Sequence, residues 1–309
     1  MGRNNLHVLE IDKFIKIMLQ LVVVIFSAVP ALLHLFGLFL LVTTRFCDED
    51  LTQRLYYVML SLGELIVCVL RISIWLVDDD LNSVQQPLYM VFTFMGWTLV
   101  YEVMIAITLD RFFKVFLNIK YPLYWNYAYT VRLAIAFCIV NCVLCSCFWL
   151  ANVSVDVIKT YYFLPFDFLF LIIAIGTYGY IFTMIKKKAK THHFELSCTH
   201  EHVQTTKEIT NCSKESQRRT LLRQNRHFLS TFLLVITFFI FAVVPDLILL
   251  HYSLRNNQGF EEWINMTLAL SYDTSFLCDF IIYTFSSKPI RRRLKNWFKF
   301  DSWILFKIS

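Results

Sequence analysis

Residues 88–115 read LYMVFTFMGWTLVYEVMIAITLDRFFKV, and this stretch decides the class of the molecule. From Leu88 to Leu109 it carries a single charged side chain, Glu102. A helix needs about 20 apolar residues to cross the hydrocarbon core of a bilayer, and this run exceeds that. Within it Thr93, Trp97, Val100, Met104, Ile107 and Arg111 recur at spacings of 4, 3, 4, 3 and 4, which sets them on one helical face. The run ends at Asp110-Arg111, where an apolar helix would meet water.

Six more runs of this kind flank it: Phe14–Val42, Leu55–Val77, Thr130–Ala151, Tyr161–Ile185, Phe228–Tyr252 and Trp263–Phe285. The chain is 57% hydrophobic and 17% charged over 309 residues, more apolar and less charged than a soluble domain. In lipid each run must satisfy its own backbone groups, so each is expected to be a helix. Barrels use short alternating strands, which these runs are not. The expected fold is an all-α membrane protein, a seven-transmembrane helix bundle spanning residues 1–286. The first run is too long for a cleaved leader and reads as a span.

Charge orients the bundle. If the amino terminus is outside, Arg3, Lys13, Lys16, Lys159 and Arg255 lie outside and 23 Lys and Arg lie inside. Arg71 falls within a span. Basic residues favour the cytoplasmic side, so the amino terminus is expected outside. The net charge of +6 therefore reads as membrane orientation, not as nucleic-acid binding. The sequons at Asn152 and Asn265 fall outside in this orientation, and the one at Asn211 falls inside. No cysteine sits clearly in an outer segment, so no outer disulfide is expected. The inner segment 186–227 is polar and lacks apolar periodicity, and is read as flexible: disordered, or an irregular extension of its flanking helices. In residues 287–309, Lys288 to Phe298 alternates basic and apolar residues at helical spacing, which suits a short amphipathic eighth helix on anionic membrane lipid.

Several motifs fall at ordered depths along these runs. Leu109-Asp110-Arg111-Phe112 closes the third, and Asp279-Phe280-Ile281-Ile282-Tyr283 lies in the seventh. Leu60-Ser61-Leu62-Gly63-Glu64-Leu65 lies in the second, Tyr178-Gly179-Tyr180-Ile181 in the fifth, and Phe239 precedes Pro245 by six positions in the sixth. Together they resemble the motif set of the rhodopsin-like G-protein-coupled receptors, across nearly the whole chain. The departures are Phe280 for Pro, Glu64 for Asp, Leu38 for Asn and Val243 for Trp. The missing outer disulfide, the short segment 151–160 and the lack of a central Pro in the fifth run are similar to the melanocortin, lysophospholipid, cannabinoid and adenosine receptor group.

The resemblance implies that an extracellular ligand in the outer bundle cavity activates a heterotrimeric G protein at the inner face, with the protein in the plasma membrane. It implies switch roles for Asp110, Arg111, Tyr178, Phe239, Pro245, Asp279 and Tyr283. It also sets Glu64 level with Asp279, two acids that would share a proton or a sodium ion; a purely structural polar core is the equal alternative. Arg71 lies about 10 Å outward of Glu64, and Asp273 about 9 Å outward of Asp279 on the antiparallel seventh helix. An Arg71–Asp273 ion pair is therefore expected, flooring a ligand pocket lined by Thr93, Trp97, Tyr162 and Asp246. Trp97 reads equally as core packing, and Glu102, on another face, reads as a helix–helix contact. His192, His193, Cys198, His200 and His202 fit no standard metal spacing, so no metal site is expected. No nucleophile–base pair or phosphate loop suggests an enzyme. A transporter or channel, and a receptor-like scaffold that does not signal, remain the competing functions.

The orientation has a direct check. Replacing Asn152 and Asn265 together with Gln should abolish any glycosidase-sensitive mobility shift, whereas Asn211→Gln should change nothing. A shift lost only on replacing Asn211 would invert the bundle.

Overall fold

The structure is a computed structural model that describes residues 2–45, 51–76, 85–117, 120–151, 153, 162–198, 228–253 and 261–298. Among the described residues every regular element is helical. In chain order these are α1 (Gly2–Thr43), α2 (Leu51–Leu76), α3 (Gln85–Leu117), α4 (Tyr127–Leu150) and α5 (Leu164–Cys198). They are followed by α6 (228–253), α7 (Glu261–Ser286) and α8 (Lys288–Phe298). A one-turn helix, Tyr121–Tyr124, precedes α4.

Six of these helices contain a segment long and apolar enough to cross a membrane: Ile17–Thr43, Leu51–Ile74, Val91–Leu117, Tyr127–Leu150, Leu164–Met184 and Phe228–Ile248. This marks a multi-pass membrane protein. α7 is not among the six, because Asp273, Asp279 and several hydroxyl side chains lower its hydropathy. Those same groups are buried: Asp273, Ser275 and Asp279 have no exposed surface. Large apolar side chains point outward instead, among them Leu32 and Leu35 on α1, Ile135 and Ile139 on α4, and Ile172 and Ile175 on α5. Such an apolar exterior around a polar core suits a lipid solvent.

The helix ends follow local chemistry. Asn126 caps α4, its side-chain oxygen accepting from the Tyr129 N–H at 2.9 Å. α5 runs past Ile185 to Cys198, because the Lys-rich stretch beyond the apolar run contains no helix breaker. Residues 186–198 are therefore regular helix, not the flexible segment expected, while residues 199–227, with Asn211, His200 and His202, lie outside the described residues, as does Asn152. Hydroxyl groups inside the spans are satisfied locally: Thr98, Thr108 and Ser146 each donate to the carbonyl four residues back.

α1 packs along α2, α2 along α3, and α7 returns against α1. α3 runs through the middle, contacting α4 and α5 as well. Leu60, Val100, Met104, Phe170, Phe238 and Tyr283 share one continuous core. α2 and α3 come closest where Gly63 meets Gly96; a Cβ on either would lie 3.2 Å from the other's carbonyl oxygen. Small residues at such crossings let helix backbones approach and gain dispersion contacts, which drive association where lipid is as apolar as Leu.

α6 is interrupted by a π turn, Phe239–Val243, where the Val244 N–H bonds the Phe239 carbonyl five residues back. Pro245, two residues past the turn, has no N–H for the Phe241 carbonyl. That carbonyl accepts instead from the Ser271 hydroxyl of α7, at 2.8 Å. The backbone group freed by proline is thus satisfied by a neighbouring helix, as lipid requires.

Gly96→Ala should destabilise the bundle by roughly 1–3 kcal/mol, since its Cβ would stand 2.7 Å from Val67 Cγ2. Gly176→Ala, where a Cβ meets nothing within 4 Å, serves as the control and should not destabilise. Thermal unfolding in detergent compares them; equal melting temperatures would mean the glycine crossing does not set the helix spacing.

Candidate functional site

Three polar layers lie one above another, mostly between α2 and α7. In the first layer Arg71 Nη1 donates to Asp273 Oδ1 at 2.5 Å and to the Ala269 carbonyl at 2.9 Å. Ser27 of α1 donates to Asp273 Oδ2 at 2.7 Å. The Arg71 guanidinium also stands 5.4 Å from the Tyr272 ring centre. The ion pair expected from helix depth is therefore present and buried. Charges this deep in an apolar bundle persist only when paired and hydrogen-bonded.

Trp97 packs at 4.5 Å against Tyr272 and at 5.7 Å against Phe276, between α3 and α7. The Tyr272 hydroxyl donates to Asp246 on α6. A second tyrosine–aspartate contact joins Tyr101 of α3 to Asp167 of α5. Thr93 Oγ is buried without a hydrogen-bond partner. Arg71, Asp273, Trp97 and Asp246 are thus linked through Tyr272. Tyr162 instead joins an aromatic cluster with Phe94, Phe148 and Phe166, on the α4–α5 side.

The middle layer holds Glu64, Asp279 and His34, all without exposed surface. Glu64 and Asp279 act on one another electrostatically, and Thr237 of α6 donates to Asp279 Oδ1 at 3.2 Å. His34 Nε2 lies 2.9 Å from the Phe276 carbonyl and 3.1 Å from Glu64 Oε2. A carbonyl only accepts, so this nitrogen carries the hydrogen. Among the described residues no group of three or more His, Cys, Asp and Glu is arranged to hold a metal ion.

The third layer centres on Arg111, which is almost fully buried with its Nε 3.8 Å from Asp110. Tyr121, in the turn after α3, donates to Asp110 at 2.5 Å. Burial, and then the Asp110 charge, push the Tyr121 hydroxyl well above the usual tyrosine range, so it stays a donor at any physiological pH. Tyr57 and Tyr178 also act electrostatically on Arg111. Tyr57 stacks on Tyr283 at 5.3 Å, and Ser61 donates to the Tyr283 hydroxyl at 3.2 Å. The absent side chain of Gly37 makes room for that hydroxyl. Arg111 and Tyr178 are therefore near one another, and Tyr283 connects to them through Tyr57. Phe239 opens the π turn and packs, partly buried, against the core.

Glu102 makes the helix–helix contact expected of it, accepting from Asn141 Nδ2 of α4 at 2.7 Å. The sequence reading missed Ser27, His34, Tyr57, Tyr101, Asp167 and Tyr272. Asp167 carried a usable signal, a carboxylate inside an apolar run; the others are neutral residues whose positions only packing reveals.

No model of a known protein family matches the sequence, and no curated protein sequence matches it.

Arg71→Met leaves Asp273 an uncompensated buried charge and should cost about 3–5 kcal/mol. Adding Asp273→Asn should recover most of that loss. Unfolding of the single and double variants in detergent measures the coupling; strictly additive losses would mean the pair contributes no interaction energy of its own.

Proposed function

We propose that this chain is a rhodopsin-like G-protein-coupled receptor of the plasma membrane, with α7 as the seventh span and α8 as an amphipathic helix on the inner leaflet. The reading of α7 rests on its inward polar stripe and on outward Ile281 and Phe285, both exposed. α8 fits because Ile290 is buried while Lys288, Arg292 and Lys295 are exposed, a basic face suited to anionic lipid.

One observation carries the receptor reading: Arg111 is buried at the inner end of α3, beside an Asp110 engaged by Tyr121. A cation in that position is costly unless it has a use or a full set of partners, and Arg111 Nε has no hydrogen-bond partner. In the proposed mechanism an extracellular ligand favours a conformation in which α6 moves outward at Pro245, opening the inner face beside Arg111, Tyr178 and Tyr283 to a G protein. The outer residues Arg71, Thr93, Trp97, Asp246 and Asp273 are the proposed ligand-facing layer. Ser271 on the freed Phe241 carbonyl couples α6 to α7, in place of the tryptophan that Val243 replaces.

Basal activation of a panel of G-protein reporters, measured at matched surface expression, should fall in Arg111→Ala and in Tyr283→Ala relative to the wild type. A basal signal unchanged in both variants would overturn these switch roles.

A further inference from the structure

One buried carboxyl group lies away from the three polar layers, where α3 meets α4. Glu102 keeps 9% of its surface exposed and accepts from Asn141 Nδ2 of α4 at 2.7 Å. Among the described residues no cation pairs with it: Arg71 is held by Asp273, and Arg111 stands beside Asp110. Asn141 is 2% exposed, and its Oδ1 is buried without a hydrogen-bond donor. Two acceptor groups, one of them ionisable, are therefore short of donors at the same place. Glu102 lies 11 residues from one end of the span Val91–Leu117 and 15 from the other. That is about 16 Å and about 22 Å along the axis, too deep for water or a lipid headgroup to supply a donor. The seam borders lipid, because α4 is the least buried of the six spans. On α4, Cys138, Cys142 and Ser146 recur every four residues, all exposed, with Cys142 next to Asn141. Small side chains in such a row let a second helix backbone come close.

We infer that the α3–α4 seam is a docking site for a transmembrane helix of a partner protein that carries a lysine or arginine in mid-membrane. The partner helix packs along Cys138, Cys142 and Ser146, and its basic side chain donates to Glu102 and to Asn141 Oδ1. A lone carboxylate and a lone ammonium are each costly at this depth, and pairing them relieves both. The face therefore discriminates a basic helix from an apolar one, which packing against small residues alone would not do. A second copy of the chain suits the site less well, because a two-fold contact here brings Glu102 toward Glu102, acceptor against acceptor.

The test is fluorescence energy transfer in lipid vesicles between the purified full-length chain and a synthetic leucine-rich transmembrane helix with one central lysine. The same helix with leucine at that position is the reference. The assay involves neither ligand nor G protein, so its outcome is independent of the receptor reading. The lysine helix should associate about tenfold more tightly than the leucine helix, the scale of a strong interhelical polar contact in lipid. Glu102→Gln, which can keep the bond from Asn141 but removes the charge, should abolish that preference. Cys142→Phe, a change on the exposed face, should weaken binding of the lysine helix by holding it off; either variant suffices if the other does not fold. Equal binding of the two helices to the wild type would overturn the proposal, as would lysine-helix binding undiminished in the folded variants. Energy transfer between copies of the chain itself that is lost in Glu102→Gln would assign the face to self-association and overturn it too.

Discussion

Inside a bilayer no water is at hand to satisfy a polar group, so each one must find its partner within the protein. That constraint organises this molecule around α7. Ser271 bonds the Phe241 carbonyl of α6, Asp273 takes Arg71 of α2 and Ser27 of α1, the Phe276 carbonyl takes His34 of α1, Asp279 takes Thr237 of α6, and Tyr283 takes Ser61 of α2. A helix too polar to stand out as a span by hydropathy is thus tied to three neighbours at successive levels. Apolar burial gives little preference between a helix neighbour and a lipid tail, so these bonds and the close contact of Gly63 with Gly96 do much to specify which helices meet.

The sequence was most legible where the physics is one-dimensional. Run length and hydropathy gave most helix ends to within a few residues, but α1 begins at Gly2, well before Phe14, and α5 ends at Cys198, well after Ile185; rise per residue placed Arg71 opposite Asp273. Charged residues deep in a span are rare enough that each demands a partner, so counting turns from each end sufficed. What could not be read depends on rotation and packing. His34 and Ser27 are single polar residues in a long apolar run, and nothing nearby in sequence distinguishes them from surface-facing neighbours. Nothing in the sequence marks Tyr57, Tyr101 and Tyr272 as the tyrosines whose hydroxyls meet polar partners. The π turn in α6 has no compositional mark beyond Pro245, and α5 outran its expected end because its basic residues are good helix formers.

The two halves of the bundle are held differently. α2 and α3 touch backbone to side chain at glycines, a contact with no slack, and share the core around Leu60, Val100 and Met104. α6 meets α3 and α5 through aromatic edges, with Phe238 at 5.0 Å from Tyr101 and 5.3 Å from Phe170, and it meets α7 through three hydroxyl hydrogen bonds. Edge-to-face rings and single hydroxyl bonds tolerate rearrangement more readily than interlocked glycines. α6 is thus the helix held by the more adjustable contacts, while α2 and α3 are locked together at their glycines.

The π turn also acts as a phase shift. One additional residue in a helix rotates everything beyond it by about 100° while lengthening it by only about 1.5 Å. Asp246 lies three residues past the turn and meets the Tyr272 hydroxyl on α7. With an unbroken α-helix through the same stretch, Asp246 would be turned toward a different neighbour, and an ionisable group would be aimed at lipid or at another helix. The irregularity is thus what sets the azimuth of the outer half of α6, and a conformational change that ironed it into regular helix would redirect that carboxylate without moving the helix axis.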